Sequence, residues 1–209
     1  MTVINKFSSS LGQKGNDANI ALAKEIAETE NSDEIKELVE NLKNKDKKKQ
    51  ADCIKTLYEI AYIKPDLIAS YYSEFLGLLS NKSNRLVWGG MIALMTITDL
   101  KSKELFASLD LISDTVNKGS TITIDSGVEI YAKLNKYSEY QDKVENLLID
   151  QLWKCSIKQL PKYMEKSTIS ITEWNKEIYK KIINERKPEC ERDSQVKRLD
   201  KVLKQIDKI

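Results

Sequence analysis

The chain has 209 residues, with 34 basic and 32 acidic side chains, a net charge of +2, 7 Gly, 3 Pro, 3 Cys and no His. The lack of His excludes Ser-His and Cys-His nucleophile pairs, a His general base and His metal ligands. So few Gly and Pro leave too few turn formers for a sandwich or barrel, and the composition predicts long helices with short connections.

Residues 1–16 are polar, with Ser8-Ser9-Ser10, Gly12 and Gly15, and are expected to form a flexible lead-in. They contain no apolar run of the kind a secretion signal needs. Asn16-Asp17 predicts the start of a helix carrying Ile20, Leu22, Ala23, Ile26 and Ala27 at helical spacing. Asn31-Ser32-Asp33 predicts the next cap, with Ile35, Leu38, Val39 and Leu42 on one face.

From about residue 46 the chain repeats with a period of 37. Ile54, Met91 and Val128 align, as do Leu57, Leu94 and Tyr131, then Ile60, Ile97 and Leu134. Further columns are Phe75, Ile112 and Ile149, and Leu79, Val116 and Trp153. Each unit predicts two amphipathic helices: second helices near 46–62, 83–98 and 120–135, first helices near 66–80, 102–117 and 138–153. One column is small, Cys53, Gly90 and Gly127. Gly inside a helix costs about 1 kcal/mol relative to Ala, so a close helix crossing is expected there.

After residue 153 the register decays. Pro161 is expected to interrupt a helix over 156–165. A helix over 171–186 would put Trp174, Ile178, Ile182 and Ile183 on one face and end at Pro188. A last helix over 190–206, heavily charged outside, reads as a terminal cap. The predicted fold class is all-α, a right-handed α-α superhelix. Residues 17–209 form one domain in this reading, with the best repeats at 46–153 and capping helices at 156–209.

The period and the apolar columns over residues 33–153 resemble HEAT repeats. Of the usual Pro early in the first helix, only Pro65 is matched, and the regular Asp and Arg/Lys positions are absent. The stretch Asn84-Arg85-Leu86-Val87-Trp88-Gly89-Gly90-Met91-Ile92-Ala93-Leu94 is similar to the central unit of small prokaryotic HEAT-like proteins, a resemblance that implies no known activity.

Stacked helix pairs expose a concave face lined by the second helices, the common binding surface of such arrays. If the 54/57/60 columns point inward, the opposite stripe faces out. It carries Lys48, Asp52, Lys55 and Glu59 in the first unit, Arg85, Gly89, Ile92 and Thr96 in the second, and Ile122, Ser126, Glu129 and Lys133 in the third. The candidate partner-binding residues are Arg85, Trp88, Ile92, Asp125 and Glu129, with Lys55 and Asp52 at the edge. An Arg beside an exposed Trp has the composition of a binding hot spot; the bland alternative tucks Trp88 against the next unit. The expected partner is a protein or peptide, and no catalytic residue, cofactor or metal is expected.

The alternative is a nucleic-acid-binding or glycosylase-like repair protein on the same scaffold, using Lys43, Lys45, Lys47, Lys48 and Lys49 against phosphates. A short charged turn is usually only solvated. No P-loop, GxGxxG, HExxH or GxSxG pattern occurs. Apolar runs of about five residues, such as Met91 to Met95, fall far short of the roughly twenty a membrane span needs. Three dispersed cysteines predict reduced thiols and a cytoplasmic protein.

Overall fold

The computed structural model describes residues 2–209. Among them there is no strand, and the helices are α1 (Asp17–Thr29), α2 (Ser32–Glu40), α3 (Lys47–Ile63), α4 (Asp66–Ala69), α5 (Tyr72–Leu78), α6 (Asn84–Ile97), α7 (Ser102–Ala107), α8 (Leu109–Lys118), α9 (Thr121–Leu134), α10 (Gln141–Lys154), α11 (Leu160–Ser167), α12 (Lys176–Arg186) and α13 (Asp193–Ile206). The chain groups into two compact units, Met1–Ser126 and Gly127–Ile209, where the sequence suggested one domain.

In the first unit α3 is central, packed on one side against α1 and on the other against α6; α2 backs α3 and α5 backs α6. In the second unit α13 packs on α11 and α12, and α10 packs on the same two helices. The nine residues of the 54/57/60 columns are all buried, from Ile54 to Leu134. That is the apolar stripe the period demanded. The outer columns hold for Phe75, Ile112, Leu79 and Val116, whereas Ile149 and Trp153 are only half-buried.

In the small column, Gly90 marks a close helix crossing. A Cβ on Gly90 would stand 3.0 Å from the carbonyl oxygen of Phe75 and 3.1 Å from Leu78 Cβ, both on α5. Cys53 and Gly127 are buried as well.

Several expectations are corrected. The two outer helices predicted over 66–80 and 102–117 each break in two, at Ser70-Tyr71 and at Ser108. At the second break the Ser108 hydroxyl donates to the Glu104 carbonyl (3.1 Å), a local bond that competes with helix continuation. Pro161 does not interrupt a helix; it lies in the first turn of α11, where a missing N–H costs nothing. The helix predicted from 171 starts at Lys176, and Trp174 lies in the preceding turn at 97% exposure, off the buried face of Ile182 and Ile183.

The lead-in is also not loose. Val3–Lys6 forms a 3-10 turn, and Val3 and Phe7 are fully buried. Thr2 Oγ1 and the Val3 amide both donate to the Glu37 carboxylate. Lys6 pairs with Glu25 (3.0 Å) and Glu34 (3.1 Å). The Ser8 amide donates to Asn19 Oδ1 (3.0 Å) and the Ser9 amide to Asp52 Oδ2 (3.3 Å). Two apolar plugs and polar ties to α1, α2 and α3 fix a segment whose composition alone looks unstructured.

Candidate partner-binding face

The face is built where α3 runs beside α6. Positions 55, 58, 59 and 62 of α3 are spaced three and four apart, so their side chains form one row. Tyr58, 5% exposed, is the buried support of that row. Its ring meets Tyr62 edge-on (centroids 6.1 Å, 84°) and, across the helix pair, Trp88 of α6 (6.2 Å, 54°). The Lys55 ammonium sits 4.8 Å from the Tyr58 ring centroid and pairs with Glu59. Such aromatic and cation–π contacts fix ring positions.

Electrostatics tie the group together. Burial alone would lower the pKa of the Lys55 ammonium, but the Glu59 carboxylate and Tyr58 outweigh it and hold it above the ordinary lysine value. Burial pushes the Tyr58 hydroxyl up, against the opposing pull of Lys55; Arg85 pulls the same way as Lys55, so its charge acts on the same ring. Arg85 is exposed, and among the described residues no carboxylate lies within ion-pair distance of it. Trp88 is half-buried: one part packs on Tyr58 and the rest meets solvent.

Of the predicted site residues, then, Arg85, Trp88 and Lys55 come together around Tyr58. Ile92 does not belong. It is 8% exposed, because every residue of α6 from Gly89 to Met95 is buried; a helix apolar on all sides has no free stripe. Gly89, also expected outside, would place a Cβ 2.6 Å from Ile54 Cγ1. Asp52 is likewise 8% exposed, its carboxylate taken by the Asn19 amide (2.8 Å) and the Ser9 N–H. Asp125, in the first unit, is half-buried. Glu129, in the second, pairs with Lys133 (3.6 Å) and Lys166 (2.7 Å). Tyr58 and Tyr62 were missed; their spacing from Lys55 and Glu59, three and four along the same helix face, was the available signal.

The lysine run behaves as a solvated turn: Lys43, Lys45, Lys47 and Lys48 are exposed where α3 begins. Among the described residues no three His, Cys, Asp or Glu side chains converge as a metal site, and no helix is long and apolar enough to cross a membrane.

No family model matches the chain, and no curated protein does. Solved structures do. A designed armadillo repeat protein in complex with the peptide (KR)4 superposes with a TM-score of 0.64 at 14% identity, over 89% of this chain and 86% of that one. The chain has a helical-repeat solenoid fold. A second match, an engineered protein, superposes on this solenoid with a TM-score of 0.63 at 14% identity, over 100% of this chain and 98% of the other.

Proposed function

We propose that this solenoid is a non-catalytic peptide-binding module whose partner lies along α3 and α6, against Trp88. The observation that carries the reading is the pair Tyr62, exposed, and Trp88, half-buried, both seated on the buried Tyr58, with the unpaired Arg85 one turn away from Trp88. Two rings are already held by neighbours, so little side-chain freedom is lost when a partner side chain packs on them. Lys55 and Glu59 satisfy each other, which leaves Arg85 as the charge available to a partner. The face therefore suits a peptide with an apolar anchor followed by an acidic group. The neighbour seen with (KR)4 supports peptide binding by the fold, and its basic peptide is not the chemistry this face favours. Asp125 stays in the proposal as a half-buried acid of the same unit; Glu129, in the second unit, is paired with Lys133 and Lys166 and forms no part of this face. The three free cysteines fit a reducing, cytoplasmic setting.

The test is a displayed random-peptide library selected on the wild type, with each recovered peptide re-measured on Trp88→Ala and Arg85→Glu. Hot-spot behaviour predicts a loss of about thirty-fold or more for Trp88→Ala. Peptides that bind both variants as well as the wild type would move the site elsewhere. Recovery of bound nucleic acid in place of peptide, released by salt, would instead favour the repair-protein alternative.

A further inference from the structure

A cavity of about 440 Å³ opens beside this face, between the N-terminal loop, the start of α3 and the first turn of α6. Its wall includes Ser8, Gly12, Gly15, Lys48, Asp52 and Arg85. Two of these are cations with no carboxylate within ion-pair distance among the described residues, Lys48 and Arg85. The loop between Ser8 and Asn16 turns through Gly12 (φ +67°) and Gly15 (φ +94°), left-handed conformations that suit glycine. It delivers the chain to the N-terminus of α1, where Asn16 makes no side-chain cap. The first helical bond there runs from the Ile20 amide to the Asn16 carbonyl, and among the described residues the amides of Gly15 and Asn16, both in the cavity wall, have no protein acceptor. Free amides at a helix start, with the helix dipole behind them, favour an anion.

One further atom points to a ligand. Ser8 is 2% exposed, yet its Oγ has no hydrogen-bond partner. Buried hydroxyls are ordinarily paired, and this one, on a residue of the cavity wall, is not. Asp52 also lines the cavity, but both of its oxygens are already engaged by Asn19 and Ser9. Among the wall residues the balance is two free cations against one satisfied carboxylate, with Asp17 in the first turn of α1 outside the wall.

We propose that this cavity is an oxyanion site that takes a phosphate-type group, held by Lys48, Arg85, the Ser8 hydroxyl and the amides ahead of α1. The group could arrive as free phosphate or on a phosphorylated peptide; the chemistry recognised is the same. The site does not depend on the peptide reading, with which it shares only Arg85.

The probe is inorganic phosphate, titrated into isotope-labelled protein and followed by amide chemical shifts, with sodium chloride at matched ionic strength as control. The expected result is saturable movement confined to Ser8–Asn19 and the starts of α3 and α6. Lys48→Gln with Arg85→Gln should weaken it by about ten-fold or more, as befits loss of two charge-assisted contacts. Ser8→Ala should weaken it several-fold without lowering the melting midpoint, because its hydroxyl bonds to nothing in the free protein. A short phosphoserine peptide run in parallel separates the sources: tighter binding than phosphate marks a phosphorylated partner, equal binding a free ion. Shifts that follow chloride without saturating, or saturable shifts unchanged in the double variant, would overturn the site.

Discussion

Asn19 of α1 and Asp52 of α3 are joined by a 2.8 Å hydrogen bond, and together they accept the amides of Ser8 and Ser9. A buried carboxylate with two protein donors is satisfied; removing it leaves those donors unpaired at about 1–3 kcal/mol. Asp52→Ala should therefore lower stability by roughly that much in urea melts and should expose the Ser8 and Ser9 amides to hydrogen exchange. Unchanged protection at both amides would mean that Val3 and Phe7 hold the segment alone.

The glycines of α5 and α6 should respond in opposite directions. Gly90 has no room for a side chain against the Phe75 carbonyl, so Gly90→Leu should cost on the order of 1–3 kcal/mol or more by overpacking. Gly77 is exposed, with nothing within 4 Å of its missing Cβ. Gly77→Ala should raise stability by about 0.5–1 kcal/mol through helix propensity and unfolded-state entropy. Thermal melts of the two variants beside the wild type check both signs.

Trp88→Ala separates a surface ring from a core ring. The indole is half-buried against Tyr58, so the expected loss is about 1–2 kcal/mol, below the 3–5 of a core Trp. A denaturation midpoint shifted by the full core amount would show a ring too enclosed to meet a partner.

Alkaline stability should report on Cys53. Burial, with the Asp52 and Glu37 carboxylates adding to it, pushes this thiol up to about 12 from an ordinary value near 9. The folded state then keeps a proton that the unfolded chain gives up. The contribution is fully present below pH 9 and falls as pH rises toward 12, by on the order of 2 kcal/mol at pH 10.5. Cys53→Ala, compared with the wild type at pH 8.5 and 10.5, should show a smaller alkaline loss; parallel losses would mean the thiol ionises in place.

Burial along a helix leaves a period, and that is why the inner columns were legible from Ile54 to Leu134. Two things left no period. One is the N-terminal segment, held by two plugs and by polar ties to residues 19, 25, 34, 37 and 52, contacts that only a folded chain brings together. It covers Asp52, which the helix pattern alone placed outside. The other is the depth of α6: amphipathic reasoning assumes one free face, and α6 from Gly89 to Met95 has none, so Ile92 is buried there, while nearer its start Arg85 is exposed and Trp88 half-buried. Tyr58 escaped because a tyrosine beside a core column reads as core, and it is core, the support on which Tyr62 and Trp88 sit.

The split outer helices carry a consequence for how the chain assembles. Segments of four to ten residues, such as α4, α5, α7 and α8, lie below the length at which an isolated helix persists in water. They acquire their shape from the long helices beneath them. Their helical form depends on tertiary packing and not on their own length. Within the first unit these short outer segments are therefore where local opening costs least.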